Sequence, residues 1–187
     1  MMSVTTPPPE TIADVLARLP EVPASRIRIR PTPGSATEQD VIEVHDREGR
    51  LCELVDGVLV EKVMGYYESR IAAVLIFLLE RHLQSHPLGI VAGADGMMRL
   101  APGLVRIPDV SFVDWNRLPA RRVPRDPIPD LVPDLAIEVL SEGNSPEEMS
   151  RKAREYFSTG VRLVWMFQPD SRSVEVHTSL EIGRAHV

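Results

Sequence analysis

Asp109, Glu138 and Lys152 are the residues whose types and order could do chemistry. Pro108-Asp109 and the run Asp134 to Val139 each place a carboxylate on a predicted strand, and Lys152 lies on the helix that follows. Two carboxylates converging from neighbouring strands make a site for a hard divalent cation, Mg²⁺ or Mn²⁺. Such a cation polarises a phosphoryl oxygen and lowers the pKa of bound water. A nearby ammonium holds the nucleophile or a phosphate oxygen. The pattern points to metal-dependent phosphodiester chemistry. Lys152 also stands out by rarity. Lys62 and Lys152 are the only lysines among 21 Lys+Arg, so arginine is the default cation of this chain.

Each residue has a plainer reading beside the chemical one. Glu138 interrupts the apolar run Leu135 to Leu140, which reads as a buried central strand. A carboxylate there needs a partner or a metal, because an unpaired buried charge is costly. Its plain alternative is a strand-end glutamate reaching solvent or an arginine. Asp109 could simply sit at the bend made by Pro108. Lys152 lies roughly 40° beyond the apolar arc of Met149, Ala153, Tyr156 and Phe157 at ~100° per residue. Its plain role is to snorkel, covering the core with its stem; arginine would do that equally well. Glu53, before the Asp56-Gly57 turn, alternates with Leu51 and Val55 and is a candidate third carboxylate. Glu68 reads as a solvated helix residue. The histidines show no zinc-ligand spacing, and Ser111, Ser141 and Ser145 lack a nucleophile-elbow context.

Composition sets outer limits. A chain of 187 residues, 43% hydrophobic and 26% charged, fits one domain with a sizeable core. The net charge of −6 argues against bulk electrostatic binding of DNA. It leaves room for a local basic groove, with Arg117, Arg121, Arg122 and Arg125 as the candidate, or for an exposed linker made soluble by arginine. The one cysteine, Cys52, rules out an internal disulfide framework and fits a cytoplasmic location. No run approaches the roughly 18 apolar residues of a spanning helix, and no secretory signal is visible.

The elements that must position these residues follow from periodicity and punctuation. Residues 1–9 read as disordered, and Thr11 to Leu19 as a short helix. Arg26 to Arg30 alternates as a strand, and Thr37 caps a helical turn over Glu38 to Asp40. Leu51–Val55 and Val58–Val63 form a hairpin across Asp56-Gly57. Tyr66–Ser85 is the longest helix. Ile90–Ala94 and Met97–Leu100 are strands around Asp95-Gly96, and Val105–Val113 is another, weakened at Pro108. The proline-rich stretch 116–133 is a semi-rigid loop. After strand Leu135–Leu140, Ser145 caps a helix with Pro146 in its first turn and Glu148 completing a capping box. Gly160 ends it. Val161–Phe167 and Ser173–Thr178 make a last hairpin. The tail Glu181 to Val187 looks foreign, since one reverse translation resembles a sequencing adapter, and it is set outside the fold.

Taken in order, these motifs resemble a known family. Cys52 to Gly57, Pro108-Asp109-Val110, Pro133 to Ser141, Arg151 to Tyr156 and Gly160 to Trp165 are similar to the Uma2 endonucleases of the PD-(D/E)XK, restriction-endonuclease-like superfamily. The similarity runs from about Leu51 to Val176. It implies an α/β fold, a mixed β-sheet flanked by α-helices in a single domain. That domain would span 37–178, after an N-terminal extension (1–36) and before a non-native or disordered tail (179–187). It also implies a divalent-metal site at Asp109 and Glu138 with Lys152 beside it, and DNA as substrate. In the superfamily's simplest pattern the lysine stands two residues after the second acid. Leu140 occupies that place here, so the lysine would have moved to the next helix. Glu53 matches an early acidic position and would complete the metal shell. A homodimer is one candidate assembly, though the sequence itself does not set the oligomeric state. The rivals are a catalytically silent nuclease-fold module for DNA binding or oligomerisation, and a phosphoesterase acting on small phosphates.

Overall fold

The computed structural model describes residues 9–178 and the backbone of 182–186. Two sheets organise the chain. The larger has strand order β10-β9-β8-β7-β6-β3. Its members are β3 (Gly89–Gly93), β6 (Val110–Asp114), β7 (Leu135–Val139), β8 (Leu163–Gln168), β9 (Ser173–His177) and β10 (Ile182–His186). All its pairings are antiparallel except β7–β8, which is parallel, as a connection through a helix requires. The smaller sheet is wholly antiparallel, in order β2-β1-β5-β4. It contains β1 (Cys52–Val55), β2 (Val58–Glu61), β4 (Met98–Ala101) and β5 (Leu104–Arg106). The mixed sheet and its flanking helices match the expected class; the second sheet is an addition to it.

Four α-helices cover these sheets among the described residues: α1 (Ile12–Arg18), α2 (Glu38–Glu48), α3 (Tyr66–Ser85) and α4 (Pro146–Thr159). Ala72 and Leu75 of α3 pack with Val110, Leu135, Ile137 and Val139 on one face of the large sheet. On the other face, Met149, Ala153 and Tyr156 of α4 pack with Ala136, Val164 and Met166, and with Met98 and Leu100 of the small sheet. Thus α4 is held between the two sheets. Its start is fixed by Ser145, whose Oγ accepts the Glu148 N–H, and by Pro146. Its end is fixed by Gly160 in the left-handed region. Val15, Leu19 and Val22 seat the N-terminal segment on Val55, Val58 and Val60 of the small sheet.

Several elements differ from the sequence reading, each for a physical reason. The turn expected at Glu38–Asp40 is an eleven-residue helix. Thr37 and Asp40 bond each other at its start, Val41 and Val44 bury one side, and left-handed Gly49 ends it. Its many charges hid that narrow stripe. Arg26–Arg30 is no strand; it carries a short 3₁₀ turn and one bridge, Ile27 to Val60. The proline-rich loop contains two 3₁₀ turns, Trp115–Arg117 and Pro119–Arg121. The single strand expected over Val105–Val113 is two, β5 and β6, in different sheets. The tail, set outside the fold for its resemblance to an adapter sequence, supplies the backbone of β10 against β9. Of residues 1–9, expected to be disordered, 1–8 lie outside the described residues.

The Asp56-Gly57 hairpin forms as expected, with positive φ at both residues. Gly57 has a second constraint: a Cβ there would meet the Gly34 carbonyl oxygen at 2.6 Å. The N-terminal segment docks on this turn through Gly34 and Ala36 N–H bonds to the Gly57 carbonyl, at 2.7 and 2.9 Å.

Candidate active site

Asp109 stands where the chain passes from the small sheet to the large one. Pro108 has no N–H to continue a ladder. The next residue re-enters pairing through its own backbone, as Asp109 N–H donates to Ile137 O at 2.9 Å. Its Oδ2 accepts the Val139 N–H at 2.7 Å. The two bonds bracket Glu138, and the β6–β7 register (Val110 opposite Ile137) continues to place Asp109 opposite Glu138. The remaining oxygen, Oδ1, lies 2.8 Å from Lys62 Nζ. Lys62 also donates to the Ile107 carbonyl.

Glu138 owes its direction to the two-residue period of β7. Leu135, Ile137 and Val139 face α3, so Ala136 and Glu138 face α4. Tyr156 on α4 donates its hydroxyl to Glu138 Oε1 at 2.7 Å, and Lys152, one turn earlier, brings Nζ to 3.3 Å from the same oxygen. Both bonds to Glu138 therefore fall on Oε1. Lys152 does not snorkel. It is 3% exposed, and its Nζ also lies 3.2 Å from Glu53 Oε1.

Glu53 completes the cluster from the small sheet. It is cross-strand to Arg106, whose Nη1 bonds Glu53 Oε2 at 2.6 Å, and Oε1 accepts the Ile107 N–H at 3.2 Å. The far side of Arg106 is held by Glu155 of α4, with Nε to Oε2 at 2.8 Å. The structure thus brings all four sequence-derived candidates (Glu53, Asp109, Glu138 and Lys152) into one buried cluster. It adds Lys62, Arg106 and Tyr156.

Charge organisation follows from burial and from who neighbours whom. Burial pushes the Glu138 carboxyl up; Lys152 opposes that and Asp109 reinforces it, and the net direction is upward. Burial acts the same way on Glu53, but Lys152, Arg106 and Lys62 outweigh it and hold Glu53 well below the usual carboxylate range. Burial alone would lower Lys152, yet Glu138 and Glu53 raise it above an ordinary lysine. It stays an ammonium at any physiological pH, so it can donate and stabilise negative charge but cannot act as a base. Tyr156 is raised by burial and then by Glu138 and Glu53, and it remains a phenol. Nearby Cys52 is a buried free thiol pushed by burial to about 11, a packing residue rather than a nucleophile.

A cavity of about 390 Å³ opens against the Lys62 end of the cluster, with Arg50, Glu61, Met64 and Asp95 among its walls. Among the described residues, no three His, Cys, Asp or Glu side chains are grouped so as to hold an ion alone. Glu53 in particular is engaged by Arg106 and Lys152 rather than standing as a third ligand. The donor set of Asp109 and Glu138 still suits Mg²⁺. That ion takes one or two carboxylates and fills its octahedron with waters and substrate phosphate oxygens.

The order of two acids and then a lysine on the next helix, here gathered into one cluster, is a feature through which the sequence resembled a nuclease family. A family model described as Uma2, "Putative restriction endonuclease", matches residues 37–184. The chain belongs to the Uma2 family. A crystal structure from Anabaena variabilis ATCC 29413, described as a "putative nuclease belonging to DUF820", shares the fold. It has a TM-score of 0.62 and 19% identity over 72% of this chain and 75% of that one. No curated protein matches.

Of the residues this Uma2 chain adds to the cluster, Lys62 was within reach of sequence reasoning, because the rarity that marked Lys152 marks Lys62 equally. Arg106 was hidden among many arginines, and Tyr156 counted as core. The basic-groove candidate divides. Arg117 is committed to Asp134 at 2.8 Å and to the Gly160 carbonyl, while Arg121, Arg122 and Arg125 are exposed. No helix among the described residues is long and apolar enough to cross a membrane.

Proposed function

We propose that this Uma2 protein is a Mg²⁺- or Mn²⁺-dependent endodeoxyribonuclease that hydrolyses DNA phosphodiester bonds. The observation that carries the reading is the placement of Asp109, just before β6, opposite Glu138 of β7, with a protonated Lys152 against the second acid. Asp109 and Glu138 hold the ion. When bound, it polarises the phosphoryl oxygen and makes a water nucleophilic at neutral pH. Lys152 supplies a fixed positive charge where negative charge develops on the phosphate. Tyr156 and Lys152 together fix the orientation of Glu138, so little reorganisation is left for the reaction. Arg121, Arg122 and Arg125 are free cations for the DNA backbone on a chain that is otherwise acidic. The single buried thiol suits a cytoplasmic setting. The exposed stripe of α3, including Tyr67, Phe77 and Leu78, is the surface on which a homodimer would close.

Nicking of supercoiled plasmid with Mg²⁺, Mn²⁺ or EDTA tests the reading. Asp109→Ala and Lys152→Ala should each lose about 10³-fold or more, equivalent to roughly 4 kcal/mol of transition-state stabilisation. Equal cleavage by wild type and both variants, or cleavage undiminished by EDTA, defeats it. One observation favours a second reading, a silent nuclease-fold module. Every candidate residue is buried and already ion-paired, so the cluster is electrostatically quenched as it stands. A protein that binds DNA but neither Mn²⁺ nor nicks plasmid would be such a module.

A further inference from the structure

The cation that faces Asp109 is Lys62, and its surroundings are unlike those of Lys152. Lys152 lies between Glu53 and Glu138, enclosed by α4 and both sheets. Lys62 follows the end of β2 and is one of the residues lining the 390 Å³ cavity, with Asp95 among the others. Asp109 meanwhile has both oxygens engaged, Oδ1 by Lys62 and Oδ2 by the Val139 N–H. The Val139 N–H belongs to the rigid backbone of β7 and stays beside Oδ2. The Lys62 ammonium sits at the end of a long rotatable side chain and can swing away.

We infer that Lys62 is a displaceable counter-ion. It neutralises Asp109 in the metal-free protein and leaves Oδ1 for the adjoining cavity when a divalent cation binds. This rests on the metal-dependent reading above and deepens it. One electrostatic argument supports it. An ammonium and a divalent ion sharing one buried carboxylate oxygen repel strongly in a low-dielectric site. Lys62 already matches the charge of Asp109, so a dication added at Oδ1 with Lys62 still in place would leave a buried excess of positive charge there. The cavity gives the departing ammonium water and the exposed carboxylate of Asp95. Lys62 is in this sense a positioning residue that sets metal affinity.

Mn²⁺ binding followed by electron paramagnetic resonance tests this without reference to turnover. Lys62→Met should bind Mn²⁺ at least tenfold more tightly than wild type, and adding Asp109→Asn should abolish the gain. Equal affinity of wild type and Lys62→Met overturns the displacement and leaves the metal reading standing. No binding by either protein overturns both. Lys62→Met leaves Asp109 buried without its cation and could misfold, so a second measurement uses the wild type. Because the chain has only two lysines, acetylation mapped by mass spectrometry distinguishes them. Saturating Mg²⁺ should raise the modification rate of Lys62 several-fold and leave Lys152 protected. An unchanged Lys62 rate at a concentration that saturates the Mn²⁺ site overturns the proposal.

Discussion

On the α3 side of β7, Leu135, Ile137 and Val139 meet Ala72 and Leu75 in an apolar contact. On the α4 side, one residue along the same strand, Glu138 meets Lys152 and Tyr156, and behind them Glu53 and Arg106. Both faces are buried to a similar degree. The apolar face gains from removing carbon from water and is indifferent to the exact partner, so volume-conserving changes should pass. The charged face has first to overcome the desolvation of several ions, and each partner is then required by the others. Apolar residues of the same shape would stabilise the fold at least as well. Retaining charges at the centre of the molecule is therefore hard to explain by stability alone, and the difference between the faces points to the α4 side as the working one.

The sharpest way to break this contrast is Glu53→Gln. It leaves Arg106 and Lys152 facing a neutral amide, and breaking a buried ion pair from one side costs about 3–5 kcal/mol. Urea unfolding should register that loss near neutral pH. The pH profile gives an independent check. The folded-state pKa of Glu53 lies below its ordinary value of 4.5. Its stabilisation is therefore present above the ordinary carboxylate range and is lost as the pH falls through and below it. Wild type should lose stability on acidification more steeply than Glu53→Gln. Parallel profiles would mean that Glu53 is not the charge its neighbours require.

Tyr156→Phe is a smaller perturbation of the same face. The volume is kept and only the 2.7 Å hydroxyl bond to Glu138 is lost. A hydrogen bond to a charged group is worth about 1.5–3 kcal/mol. If the phenol also orients Glu138 as an ion ligand, Mn²⁺ affinity should fall with it. A loss of stability with unaltered Mn²⁺ binding would assign Tyr156 to packing alone.

How much of this was legible in the sequence depends on the kind of signal. Glu138 was visible because a carboxylate inside an apolar strand violates the local pattern. Lys152 was visible because helix geometry places it beside a buried arc. The fold class could be read from strands and helices that announce their ends, as at Asp56-Gly57 and Ser145-Pro146. What could not be read was the change of sheet at Pro108. Proline marked a defect in one strand, and nothing local said that β5 and β6 pair with different partners. That change is what lets Arg106 serve Glu53 while Asp109 faces Glu138, three residues apart on two sheets. Lys62 lies just after the end of a short strand, where no periodicity fixes a direction. Its ion pair with Asp109 is a tertiary fact. The start of α2 was read correctly at Thr37, but its length was missed, because only two of its residues are buried, too few to stand out among its charges.

Ile137→Val sharpens the comparison from the quiet side. Ile137 is fully buried and adjacent to Glu138, but its side chain points toward α3. Removing one methylene from a packed core costs about 0.5–1.5 kcal/mol, set by how well the site closes over the gap. If the two faces of β7 are independent, chemical denaturation should show that modest loss while Mn²⁺ affinity and plasmid nicking stay within error of wild type. The alternative is that the strand transmits the change, because Asp109 is tied to the Ile137 carbonyl and the Val139 N–H on either side of Glu138. A backbone shift of a few tenths of an ångström at Ile137 would then move the opposed acids relative to one another. A drop in Mn²⁺ affinity with this conservative change would show that the apolar face does more than fill space. It would set the spacing of the two carboxylates that the charged face presents.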